Sequence, residues 1–259
     1  MTLVFLAYPV VLAQPNWADI AHGALAPSLS FDQMRLALVV ALIGTTITPY
    51  QQFFQQSAVV EKGVGPPHYA DERVDAYSGA IVGNVIWLFV IVAAAAALRP
   101  QRIFDISSAA HAARALEPLA GPAASVLFAM GLLGASLLAA AVVPLATAFS
   151  VSEAFGFSKG FGLDYRRASM FYGLLTVLIA FGALVALVPS IPIVALLVDI
   201  QMLNGFLLPI VLGFILILAG DRRLMGGLTN SPLQAMLGWM TLVGVSVAAV
   251  LLAAQAFAG

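Results

Sequence analysis

Six long apolar stretches, at roughly 36–60, 74–98, 122–152, 168–189, 192–219 and 233–257, take up most of the chain. Each can supply the run of about 20 apolar residues that an α-helix needs to cross the hydrocarbon core of a bilayer. Of the 259 residues, 62% are hydrophobic and 9% charged. Soluble domains carry about 25% charged residues. No water-soluble fold can hide that much apolar surface, whereas a bilayer accepts it. Lipid offers no hydrogen bonds, so each span must pair its backbone within itself, as a helix does. The expected fold class is an all-α integral membrane protein, with a single transmembrane domain over 1–259. A short apolar run at 2–13 has no Lys or Arg before it and reads as the end of a helix rather than as a signal peptide.

Composition also excludes functions. The net charge of −1 gives no basic field for nucleic acid, and zero cysteines leave no disulfide framework or thiolate metal site. No P-loop, nucleophile elbow or paired-carboxylate motif occurs, so the residues give no support for an enzyme or a bound cofactor. His68 and His111 fall in loops and His22 near the outer surface, each without a second ligand at metal-binding spacing.

Charge gathers between the spans. Seven of the 11 Lys and Arg (Lys62, Arg73, Lys159, Arg166, Arg167, Arg222 and Arg223) lie in the segments 61–73, 153–167 and 220–232. Arg35, Arg99, Arg102 and Arg114 lie on the other side. The positive-inside rule places the first group in the cytoplasm and the C-terminus outside.

The stretch 36–60, LALVVALIGTTITPYQQFFQQSAVV, is not an ordinary span. Thr45, Thr46, Thr48, Gln51, Gln52, Gln55, Gln56 and Ser57 crowd its second half around Pro49. Proline lacks an amide donor, and its ring clashes with the carbonyl one turn earlier. The carbonyls from Ile43 to Thr46 are therefore expected to be poorly paired and to face protein, water or an ion. Helices broken in this way build cation sites in secondary transporters. A plain proline kink, with glutamines bonded to neighbouring helices, is the alternative. In 192–219, Gln201 and Asn204 share a helix face, whereas Asp199, an intramembrane acid, points nearly the other way from Gln201. Gln201 is the favoured contributor of the two. Asn84 reads as an interhelical hydrogen-bond donor.

Several motifs in order give a resemblance: GTTITPYQQFFQQSAVVEKG at 44–63, ERVDAYSGA at 72–80, LEPLAGPAASVLFAMGLLGASL at 116–137, VVPLATAFSVSEAFG at 142–156, QMLNGFLLPIVLGFIL at 201–216 and RRLMGGLTN at 222–230. The chain resembles the C-terminal half of the NRAMP family of divalent-metal transporters, which have a LeuT-like inverted-repeat fold with broken helices. The resemblance makes 2–13 the end of the family's fifth helix and 36–60 its broken sixth helix. The N-terminal half, with helix 1 and its metal-binding Asp, would lie outside this chain and be a missing partner.

Family members read Met-Pro-His at the break, where the Met sulfur and a carbonyl three residues earlier bind metal. Those positions here are Thr48 and the carbonyl of Thr45. The family's histidines fall at Tyr50 and Gln55, and its helix-10 glutamine at Gln201. The implied metal site is Thr45, Thr48, Gln51 and Gln201, with Pro49 at the break and Tyr50, Gln52, Gln55, Asn204 and Asp199 along a pathway. Oxygen in place of a thioether favours hard cations such as Mg²⁺ and Mn²⁺, as in the family's branch that includes magnesium transporters. The lost histidines remove the groups that would move protons.

The expected function is transport of a divalent cation (Mn²⁺, Fe²⁺ or Mg²⁺) by a multi-pass protein of a cell membrane, the prokaryotic inner membrane. The metal is substrate rather than cofactor, and the bilayer is the other partner. A non-transporting remnant of a truncated gene, or another LeuT-fold carrier for an amino acid or Na⁺, are the rival readings.

Overall fold

The computed structural model describes residues 16–25, 32–98, 108, 110 and 122–258. The run 2–13 and the loop residues Arg99, Arg102, His111 and Arg114 lie outside the described residues.

The regular structure of the described residues is helical: α1 (Trp17–Leu25), α2 (Gln33–Thr46), α3 (Pro49–Glu61), α4 (Tyr69–Leu98), α5 (Pro122–Ala154), α6 (Ser169–Ala186), α7 (Ile193–Gly220), α8 (Arg222–Met225) and α9 (Pro232–Ala258). Among the described residues, six stretches are long and apolar enough to cross a membrane, with Gln33–Glu61 taken as one. This is an integral membrane protein. Its exposed surface is correspondingly apolar: Met130, Leu133, Leu137 and Leu138 on α5 are all more than half exposed, as lipid-facing residues are without lipid.

The helix ends have local causes. α4 begins at Tyr69, well before the apolar stretch, because Pro66–His68 forms a 3-10 turn and Asp71 and Glu72 favour the first helical turn. The charged ADER segment is thus helical rather than loop. Arg73 extends between the rings of Tyr69 and Tyr77, 5.9 and 5.8 Å from their centroids. α5 ends in a Schellman motif: Phe157 N–H reaches the Ser152 carbonyl at 2.7 Å, and Gly156 N–H reaches that of Glu153 at 3.2 Å. Gly156 takes the φ of +71° that this ending requires.

The chain divides into two compact units, residues 1–28 with 57–194, and residues 29–56 with 195–259. In the first unit α5 packs on α6. Ala146 and Ala148 are fully buried, and small side chains of this kind let membrane helices approach closely. An aromatic cluster continues the contact, with Phe149 and Phe171 edge to face at 4.8 Å. In the second unit α2 packs on α9. Leu36 and Val40 of α2 meet Leu252 and Ala248 of α9, and Met202 and Phe206 of α7 close the cluster.

Candidate metal-ion site

The second unit holds every site residue expected from the sequence. α2 ends at Thr46. Ile47, at φ −124° and ψ 74°, leaves the helical region, and α3 starts at Pro49. The physical reason is at Pro49, which has no amide to offer the carbonyl of Thr45. The Ile47 amide still reaches the Ile43 carbonyl at 2.9 Å, so that carbonyl is paired, contrary to expectation. Among the described residues no backbone amide reaches the carbonyls of Gly44, Thr45 or Thr46. The Thr46 hydroxyl turns back to the Leu42 carbonyl at 2.7 Å and is spent within the helix.

Thr48 sits in the gap between the two helix ends. It is 2% exposed, and its hydroxyl has no hydrogen-bond partner. A threonine before a helix commonly caps the amides of the first turn. Here the Gln51 amide is taken at 3.2 Å by the Thr48 backbone carbonyl instead. One turn further, on the same face of α3, the Gln52 side-chain nitrogen is also buried and unpartnered. Pro49 is buried and Tyr50 half-buried, while Thr45, Gln51 and Gln55 are exposed.

α7 reaches this region through two glycines. A Cβ on Gly44 would run into the backbone carbonyl oxygen of Gln201 and stand 2.6 Å from the Gly205 nitrogen. A Cβ on Gly205 would run into the Val40 carbonyl oxygen. The two backbones therefore touch, and Gln201 is held beside the last turn of α2. Its side-chain oxygen accepts from Asn204 Nδ2 at 2.9 Å. Asp199 is exposed, on a different side of α7 from Gln201.

The structure thus gathers Thr45, Thr48, Pro49, Gln52 and Gln201 around one interruption and leaves Asp199 apart. Among the described residues, Asn84 donates from Nδ2 to the Ala80 carbonyl of its own helix at 2.8 Å rather than to another helix. The glycine pair was missed from sequence. Its signal was a small residue inside each of two apolar runs. Among the described residues no cluster of His, Cys, Asp or Glu could hold a metal. Any ion here would meet carbonyls, a hydroxyl and amides.

The family described as natural resistance-associated macrophage protein-like matches residues 1–255. The chain belongs to this NRAMP family. Among its NRAMP relatives, a divalent metal cation transporter MntH of Ralstonia nicotianae is 29% identical over 265 residues, covering 98% of this chain and 59% of the relative. The protein of the same name from Clostridium acetobutylicum is 24% identical, over 99% of this chain and 58% of its own length. That from Deinococcus radiodurans is 28% identical, over 90% and 52%. The chain therefore spans somewhat more than half the length of the curated relatives it matches.

Proposed function

We propose that this chain forms part of a divalent-cation transporter with the LeuT-like inverted-repeat architecture, and that Ile47–Thr48 is the break of its discontinuous helix. Membership of the NRAMP family and similarity to MntH proteins support the substrate class. One observation of the structure carries the site: a threonine hydroxyl, buried to 2% exposure and without a partner, lies between two helix ends. Leaving a buried polar group unpaired costs about 1–3 kcal/mol. A ligand that the hydroxyl meets in the working protein accounts for that cost.

The polarity of the two ends suits a cation on one side. The C-terminal end of α2 carries the negative end of its dipole and the unpaired carbonyls of Gly44, Thr45 and Thr46. The Thr48 hydroxyl adds a further oxygen. The proposed ligands are the Thr45 carbonyl, Thr48, Gln51 and Gln201. The Gln201 side-chain oxygen accepts one hydrogen bond from Asn204 and keeps a second lone pair for the ion. Tyr50, Gln52, Gln55, Asn204 and Asp199 would line the approach. Oxygen donors of this kind suit Mg²⁺ and Mn²⁺ over softer metals.

These donors are neutral, and a dication among neutral donors in low dielectric keeps a heavy desolvation cost. We propose that the balancing carboxylate comes from the part of the family fold that this chain does not cover, as two inverted repeats would each contribute one broken helix. The test of the site is Thr48→Met in the assembled transporter, with uptake of Mg²⁺, Mn²⁺ and Cd²⁺ compared. The expected result is a higher Cd²⁺-to-Mg²⁺ ratio, since a polarizable sulfur replaces a hard oxygen. An unchanged ratio places Thr48 outside the site.

A further inference from the structure

The far end of α3 is held by two carboxylates, and nothing in the proposed cation site explains them. Glu153, on the last turn of α5, accepts a hydrogen bond from the Ser57 hydroxyl of α3 at 3.1 Å. Its other oxygen pairs with Lys159 Nζ at 2.7 Å. Glu61, on the last turn of α3, accepts from the backbone amide of Phe161 at 3.2 Å. Ser57 is buried, at 5% exposure, in a helix otherwise rich in exposed residues.

The segment that receives these contacts is shaped in advance. The Schellman ending of α5 reverses the chain after Phe155, which brings Lys159 back over Glu153. Gly160 then takes φ +114°, and a Cβ there would stand 2.9 Å from Glu61 Oε1. Only glycine lets the carboxylate lie this close to the backbone. Phe161 sets its ring edge-on to Phe149 and Phe171, at 6.3 and 6.0 Å, and so fixes the position of the amide that Glu61 uses. The sequence from Ser152 to Phe161 thus builds a rigid receptor for the end of one helix.

We infer that Glu61 and Glu153 are positioning residues that clamp the C-terminal end of α3 onto the turn 155–161. Two points of attachment one turn apart, at Ser57 and Glu61, fix both the height and the rotation of the last turn of α3. This clamp does not rest on the proposed function.

The test uses the full chain in membrane vesicles. The chain contains no cysteine, so a single Ala58→Cys reports on α3 through its rate of reaction with a small maleimide. Glu61→Leu removes the acceptor and keeps an apolar stem, whereas Glu61→Gln keeps an oxygen for the Phe161 amide. The expected result is labelling about threefold to tenfold faster with leucine and nearly unchanged with glutamine, as fits a partly exposed charge-assisted bond. Equal rates for the two variants, whether raised or not, overturn the clamp. A second cysteine reporter at Ala148, which is fully buried in α5, should stay protected in both. Should leucine at 61 expose that site too, the measurement passes to Ser57→Ala and Glu153→Ala. Each should speed labelling of Ala58→Cys, and the double variant should do so no more than Glu153→Ala alone. Additive effects there overturn the inference. No metal enters these readings, so a negative result removes the clamp and leaves the cation site standing, while failure of the Thr48→Met experiment leaves the clamp intact.

Discussion

The backbone carbonyl of Gln201 lies directly against Gly44, leaving no room for a side chain between α7 and the last turn of α2. The atoms in the way are backbone, and they cannot swing aside as a long side chain could. Gly44→Ala is therefore expected to push the two helices apart, at the roughly 1–3 kcal/mol typical of overpacking or more. Gly213→Ala is the control, because its Cβ would make only an ordinary contact with Leu242 at 3.8 Å. Thermal unfolding of the detergent-purified chain should show a lower Tm for Gly44→Ala and none of that loss for Gly213→Ala. Equal values would show that the glycine contact does not hold the unit together.

A buried hydroxyl without a partner has an opposite signature. Thr48→Val keeps the shape and removes the orphaned oxygen. Replacing an unpaired polar group by an apolar one of the same shape is neutral or stabilising. The expected outcome is an unchanged or raised Tm, by up to the equivalent of about 1 kcal/mol, together with weakened Mn²⁺ uptake by the assembled transporter. A clear loss of stability would mean that the hydroxyl has a structural partner, and unaffected uptake would remove it from the cation path.

The sequence showed the fold through its coarsest features. Six apolar runs of spanning length correspond to six helices long and apolar enough to cross a bilayer. The helix end at Thr46 and the new start at Pro49 follow from one missing amide, visible at once in the proline. What stayed hidden depends on partners distant in the chain. Nothing in Gly44 announces Gly205, because a glycine inside an apolar run fits many neighbours. The start of α4 at Tyr69 was misplaced because hydropathy marks where lipid begins, not where helical hydrogen bonding does. Ser57 looked like one more polar residue near the break. Its bond to Glu153 needs the fold to bring the two together.

Topology gives a third expectation. Lys and Arg concentrate in 61–73, 153–167 and 220–232, and Arg73 with its flanking Tyr69 and Tyr77 fits a membrane interface on that side. Single cysteines at Val64, Ser158 and Leu224 should resist an impermeant thiol reagent added outside intact cells. Gly160 and Gly226 are poor reporters, since both hold positive φ. Labelling of all three from outside would reverse the orientation.

The central claim is that the interruption at Ile47–Thr48 is one part of a divalent-cation site, completed by the region of the family fold beyond this chain. Its most direct measurement is Mn²⁺ and Mg²⁺ uptake into proteoliposomes. These contain either the purified chain alone or the chain together with the complementary part of the transporter. The neutral donors around Thr48 cannot by themselves offset the desolvation of a dication. The chain alone should show little or no saturable uptake, and the combination should show saturable uptake that Thr48→Val weakens. Saturable transport by the chain alone, free of longer products, would contradict the account and would point to a site built from two copies of this chain.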